Sequence, residues 1–193
     1  MGRVQSRGRA SPETPTLVLN ATPLIYLCKS GLARHLRALA VHYRLCTTRE
    51  VYQEVYVKGM QKSVSEMDSL KELFEDNLVE LLPEEQQRET NPKSDGKILE
   101  LLKGSGLHTG EITVIQTAIS LGGTAIVDDK RARNVARFIG VNLSGTANIV
   151  VALVKHGIID KSEAKEGINR MIDEGWYCST KDYVNIINSI EKA

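Results

Sequence analysis

The sequence predicts an α/β fold in which helices wrap a central parallel sheet of short strands. Three observations carry this. Single apolar runs of strand length alternate with helical stripes along most of the chain, and each run ends at a polar residue that opens a helix. Strands separated by helical crossovers pair in parallel, because a parallel pair cannot be joined by a tight turn. The 193 residues are 41% hydrophobic and 25% charged, which is ordinary for one globular domain with a sizeable core.

The elements follow in order. Leu17-Val18-Leu19 is a first strand that stops at Asn20. Thr22-Pro23 starts a helix, since a hydroxyl can cap free N–H groups and Pro at the first position forfeits no hydrogen bond. That helix ends near Ser30-Gly31, and Leu32, Leu36 and Leu39 set the next helical stripe. Arg44 to Thr47 reads as a second strand, followed by a helix carrying Glu50, Val51, Glu54 and Val55. Residues 64–76 read as a polar-faced helix, 78–82 as an extended segment and 83–95 as a polar loop with two prolines. A helix is expected from Asp95 through Leu102, and another, capped by Thr109, along Ile112, Ile115 and Ile119. The strand Thr124 to Val127 ends in Asp128-Asp129. A basic helix from Lys130 to Ile139, a brief strand 141–143 and the turn Ser144-Gly145-Thr146 come next. Asp160-x-x-Glu163 is a capping-box-like start for a helix to Glu174, and Tyr183, Ile186, Ile187 and Ile190 mark a last amphipathic one.

Composition excludes several classes. A net charge of +1 is far from the basic excess of a histone-like nucleic-acid coat, although it leaves room for an enzyme acting on nucleic acid. The longest apolar run, Ile149 to Val154, is too short to span a bilayer, which takes about 20 residues, so no membrane partner is expected. Residues 1–16 read as a flexible basic arm with Arg3, Arg7 and Arg9 and no secretory apolar core. Three scattered cysteines, Cys28, Cys46 and Cys178, fit neither a zinc ribbon nor a disulfide framework, and point to a cytoplasmic protein. Gly104-Ser105-Gly106 lacks the lysine of a phosphate-binding loop, and no GxSxG elbow is present.

Ligands of open α/β sheets gather beyond the carboxyl ends of the strands. Polar residues occupy such junctions here: Asn20 after the first strand, Glu111 in the first turn after Thr109, and Asp128-Asp129 after the late strand, with Glu54 presented from a helix face. Each has an ordinary explanation taken singly. Glu54 can pair with Lys58 at i,i+4, Glu111 suits a helix N-terminus, Asp129 can cap its helix and Asn20 can satisfy its own turn. Brought together, they would be a set of oxygen donors with at least three carboxylates, a natural host for Mg²⁺ or Mn²⁺.

The strings LVLNATPLIYL, VYQEV, LHTGEITVIQTA and AIVDDKRARNVARFIGV, in this order, resemble the PIN-domain family of metal-dependent nucleases, particularly a branch related to the toxins of VapBC-type toxin–antitoxin pairs. GTANIVVALVKHGII and GWYCSTKDY also look like that branch. The resemblance implies a three-layer α/β/α PIN-like fold over residues 17–156, with residues 157–193 as a helical extension packed on the same domain. It places the family's four acidic positions on Asn20, Glu54, Glu111 and Asp129, with Asp128 as an additional ligand or an outer acceptor and Thr22 as the hydroxyl residue after the first acid. Most of the family has Asp where this chain has Asn20; an amide oxygen can ligate a metal, but it brings no charge and cannot act as a base.

The activity so implied is Mg²⁺- or Mn²⁺-dependent hydrolysis of RNA by a toxin, with a small antitoxin protein and a second copy of the chain as partners. Lys130, Arg131 and Arg133, with Arg137 behind them, are the candidates for gripping phosphates. The rival reading is a catalytically degenerate module that binds RNA or protein, with Asn20 marking a lost metal. Aromatic residues make up only 5%, so extensive base stacking is not expected.

Overall fold

A computed structural model describes residues 14–59, 64–83 and 92–193. Most of the expected basic arm, residues 1–13, and most of the expected polar loop, residues 84–91, lie outside that set. The elements are β1 (Thr16–Leu19), α1 (Ala21–Lys29), a 3₁₀ turn (Leu32–His35), α2 (Leu36–Leu39), β2 (Arg44–Thr47), α3 (Arg49–Gly59), α4 (Val64–Glu75) and β3 (Glu80–Leu81). They continue with α5 (Pro92–Gly104), α6 (Thr109–Ser120), β4 (Thr124–Ile126), α7 (Lys130–Ile139), β5 (Leu143–Ser144), α8 (Thr146–Lys155), α9 (Lys161–Asp173) and α10 (Thr180–Lys192).

The strands form one sheet in the order β3-β2-β1-β4-β5, parallel throughout, within a three-layer α/β/α arrangement. β1 is central: Val18 lies opposite Cys46 of β2 on one side and Ala125 of β4 on the other. The chain first builds outward from β1 through β2 to β3, then returns to the other side of β1 to lay down β4 and β5. The strand order therefore reverses between β1 and β4, and a crevice opens beyond the carboxyl ends of those two strands. Asn20 follows one of them and Asp128-Asp129 the other, so topology alone brings distant parts of the chain to one edge.

The core is apolar and continuous, running from Val18 and Leu19 through Leu24, Leu27, Leu32, Ile115 and Ile126 to Ile149, Leu153 and Ile168, all essentially without solvent contact. The expected stripe after α1 is a 3₁₀ turn followed by a single α-turn. α5 begins at Pro92, within the stretch read as loop, because Pro suits a first helical position as well as a loop. Strand β5 sits at Leu143–Ser144, at the end of the expected run. Cys28, Cys46 and Cys178 form no disulfide, and burial pushes the Cys46 thiol up to about 12. No helix among the described residues is long and apolar enough to cross a membrane.

α9 and α10 pack on α8, and α9 also touches α1. The Asp160 side chain caps α9 by accepting from the Glu163 N–H at 2.8 Å, as its spacing suggests, and Arg170 Nε reaches back to the Ser30 carbonyl at 2.8 Å. α9 approaches so closely that a Cβ on Gly167 would stand 2.5 Å from Leu32 Cδ1. Leu32 is fully buried and has nowhere to retreat. Gly167→Ala is therefore expected to lower unfolding free energy by about 1–3 kcal/mol, read from denaturant midpoints, despite the better helix propensity of Ala.

Candidate metal centre

Asn20 ends β1. Its backbone N–H donates to the Ile126 carbonyl at 3.2 Å, extending the β1–β4 pairing by one step, and it is the N-cap residue of α1. Its side chain does not perform the usual capping task. The residue is only 6% exposed, and its Oδ1 is buried with no hydrogen-bond partner among the described residues. A buried carbonyl oxygen left unpaired costs about 1–3 kcal/mol, so its orientation points to a ligand.

Gly110, in the first turn of α6, explains how helices carrying acids come close to that oxygen. A Cβ there would stand 3.0 Å from Glu54 Oε2, 3.3 Å from Val51 Cγ2 and 3.7 Å from Asn20 Oδ1. The absence of a side chain lets α6 approach α3 and leaves Glu54 and Asn20 facing the same small space. A hydrogen bond of 2.9 Å between Thr48 Oγ1 and Thr113 Oγ1 ties the start of α3 to α6.

Glu111, 9% exposed, reaches back so that its Oε2 accepts from the His108 N–H at 2.9 Å. The N-cap of α6 is thus His108; Thr109, the cap expected from the sequence, is the first helical residue. Burial raises the Glu111 pKa. The His108 hydrogen bond opposes that rise, and the negative charges of Asp129 and Glu54 reinforce it. Those like charges put Asp129 and Glu54 within electrostatic reach of Glu111. Asp129 caps α7 through Oδ1, which accepts from the Ala132 N–H at 2.8 Å, leaving Oδ2 free of hydrogen bonds among the described residues. No three His, Cys, Asp or Glu side chains among the described residues form a metal cage as they stand. What the described residues do show is an orphaned Asn20 oxygen beside Gly110 and a Glu111 that feels the negative charges of Asp129 and Glu54, features that a divalent cation would answer.

The structure gives Asp128 a different task from its neighbour. Its Oδ1 accepts from the Thr146 N–H at 2.8 Å, and its Oδ2 accepts from Thr146 Oγ1 at 2.5 Å and from Trp176 Nε1 at 2.9 Å. With both oxygens engaged, Asp128 braces α8 and the C-terminal segment, and the metal role expected for it has no support in this geometry. Arg133 is likewise drawn inward: its Nη1 donates to the carbonyls of Val127 and Ser144, both at 2.9 Å. Arg131 turns toward the Gly106 carbonyl at 3.4 Å. Thr22, Lys130 and Arg137 line a broad groove that runs from Asp129 to α10. Glu50, one turn before Glu54, has a buried Oε2 without a hydrogen bond among the described residues. Neither Gly110 nor Trp176 carries a functional signal in the sequence by itself; what marks them is the close approach at one and the bond to Asp128 at the other.

A five-stranded parallel sheet whose strand order reverses between β1 and β4 defines the class as a doubly wound α/β/α fold, and the identity of the chain within it is specific. A family model described as PIN domain matches residues 16–192, and the chain belongs to that family. The match extends through α9 and α10. A search of curated proteins returns no significant match. PIN domains are generally nucleases and typically use divalent metal ions.

Proposed function

We propose that the protein is a metal-dependent ribonuclease that hydrolyses RNA phosphodiester bonds with Mg²⁺ or Mn²⁺. The observation that carries this is the buried, unpartnered Asn20 Oδ1 facing the same space as Glu54, beside a Glu111 that feels the charges of Glu54 and Asp129. Glu111 and Asp129 would hold the cation, with Asn20 and Glu54 completing the shell directly or through water. A cation so held lowers the pKa of a bound water and offsets charge on the scissile phosphate. The chain's own residues do the rest. His108 and Ala132 N–H groups fix the orientations of the Glu111 and Asp129 carboxylates. Asn20, being neutral, offers an oxygen without adding to the repulsion among the acids. Lys130 and Arg137, which line the groove beside Asp129, would grip phosphates flanking the cut.

The proposal extends to a toxin of a toxin–antitoxin pair, with a small antitoxin protein and a homodimer as partners; the strings quoted above support it. The rival is a module that has lost its metal, favoured by the amide at position 20. Cleavage of single-stranded RNA with Mn²⁺, by the wild type and by Asn20→Asp, separates them. The wild type is expected to cut and to be stopped by EDTA, with Asn20→Asp several-fold faster at limiting metal. Cutting by Asn20→Asp alone selects the degenerate module, and no cutting by either contradicts the nuclease.

A further inference from the structure

We infer that the C-terminal segment supplies the candidate nuclease site with a base-stacking platform, Tyr177, and that the groove beside it takes a single strand of RNA. The identity of the substrate rests on the ribonuclease reading above; the groove itself does not. The groove is walled by α7 on one side and by residues 175–189 on the other, and Asp129 and Thr22 lie in the same depression, so it reaches the candidate metal centre at Asp129.

Tyr177 is 88% exposed, and its ring meets no aromatic partner among the described residues. An exposed aromatic on a loose tail would mean little, but this one is held from both sides. Before it, Gly175 turns the chain with φ +94°, the Trp176 N–H donates to the Met171 carbonyl at 2.8 Å, and the buried Trp176 ring donates to Asp128 at 2.9 Å. After it, Ser179 caps α10, accepting from the Asp182 N–H at 3.1 Å and donating to Asp182 Oδ2 at 2.5 Å. Asp128 is also the residue next to Asp129. One hydrogen bond therefore fixes the backbone beside Tyr177 in the same frame as the candidate metal ligand. A backbone already fixed loses little conformational entropy when a base stacks on the ring it carries.

The charges agree with a strand of phosphates. Lys130, Arg137 and Lys181 are exposed along the groove, while of the acids that line it Asp182 is engaged by Ser179 and Asp128 by Thr146 and Trp176. A ring face suits an unpaired base and not one stacked inside a duplex, which makes single-stranded RNA the occupant.

The test is fluorescence anisotropy with the full chain and a fluorescein-labelled single-stranded oligoribonucleotide, in EDTA so that binding is read without cleavage. Tyr177→Ala is expected to weaken binding about tenfold, and Tyr177→Phe by no more than about twofold. Phe138→Ala, which removes an 80% exposed ring outside the groove, is expected to have no effect. A duplex of the same sequence should bind less tightly than the single strand. Unchanged affinity in Tyr177→Ala, the result expected if a protein occupies the groove, overturns the inference, as does equal affinity for duplex and single strand. Binding that depends on Tyr177 without Mn²⁺-dependent cleavage keeps the groove and retires the ribonuclease. Cleavage with Tyr177-independent binding does the reverse.

Discussion

Asp129→Asn is expected to lower Mn²⁺-dependent RNA cleavage by at least about 100-fold while leaving the fold intact. The folding role of Asp129 is to cap α7 through Oδ1, and Asn caps helices about as well as Asp, so the bond to the Ala132 N–H survives the change. What is lost is the charge and the second carboxylate oxygen, which takes no hydrogen bond among the described residues. Charge stabilisation by a held cation is worth several kcal/mol in the transition state, and each 1.4 kcal/mol or so is about tenfold in rate. Thermal unfolding should place the variant within about 0.5 kcal/mol of the wild type, because a surface change that keeps its cap costs little. An inactive variant that has also unfolded would not fit this account.

Asp128→Ala, one residue away, should show the opposite profile: a loss of about 3 kcal/mol in stability, measured by denaturant unfolding. Three donors lose their acceptor at once, the Thr146 N–H, the Thr146 hydroxyl and the Trp176 indole N–H. Hydrogen bonds to a charged group contribute about 1.5–3 kcal/mol each, and a buried donor left unpaired costs further. Trp176 is the sole tryptophan of the chain, so its fluorescence reports the break directly. A red-shifted emission at low denaturant, before the global transition, is the expected sign that residues 175–179 have come away from α8. Wild-type stability in Asp128→Ala would contradict the bracing role.

The contrast between these neighbours shows where the sequence is informative. A buried strand ending in two acids ahead of a basic helix is plain in AIVDDKRARNVARFIGV, and the structure has β4 and α7 in those places. Which aspartate faces the crevice and which turns inward depends on partners at positions 146 and 176, and no local pattern announces them. Arg133 is similar: on a helical wheel it belongs with Lys130 and Arg137, yet the carbonyls of Val127 and Ser144 draw it to the ends of the strands. Gly110 precedes Glu111 in a helix opening, where glycine is unremarkable. Its importance appears only when α3 is seen to lie against it. Tyr177 could not be weighed from a 5% aromatic content, because what matters is one exposed ring on a backbone anchored from both sides beside a groove.

Asn20, Glu54, Glu111 and Asp129 are proposed to surround a divalent cation. Titration calorimetry of Mn²⁺ into the purified protein tests it most directly, with Asp129→Asn as the comparison. Saturable binding by the wild type, weakened about tenfold or more in Asp129→Asn, is the predicted result. A wild type that takes up no Mn²⁺, or a variant that binds it equally well, would contradict the account.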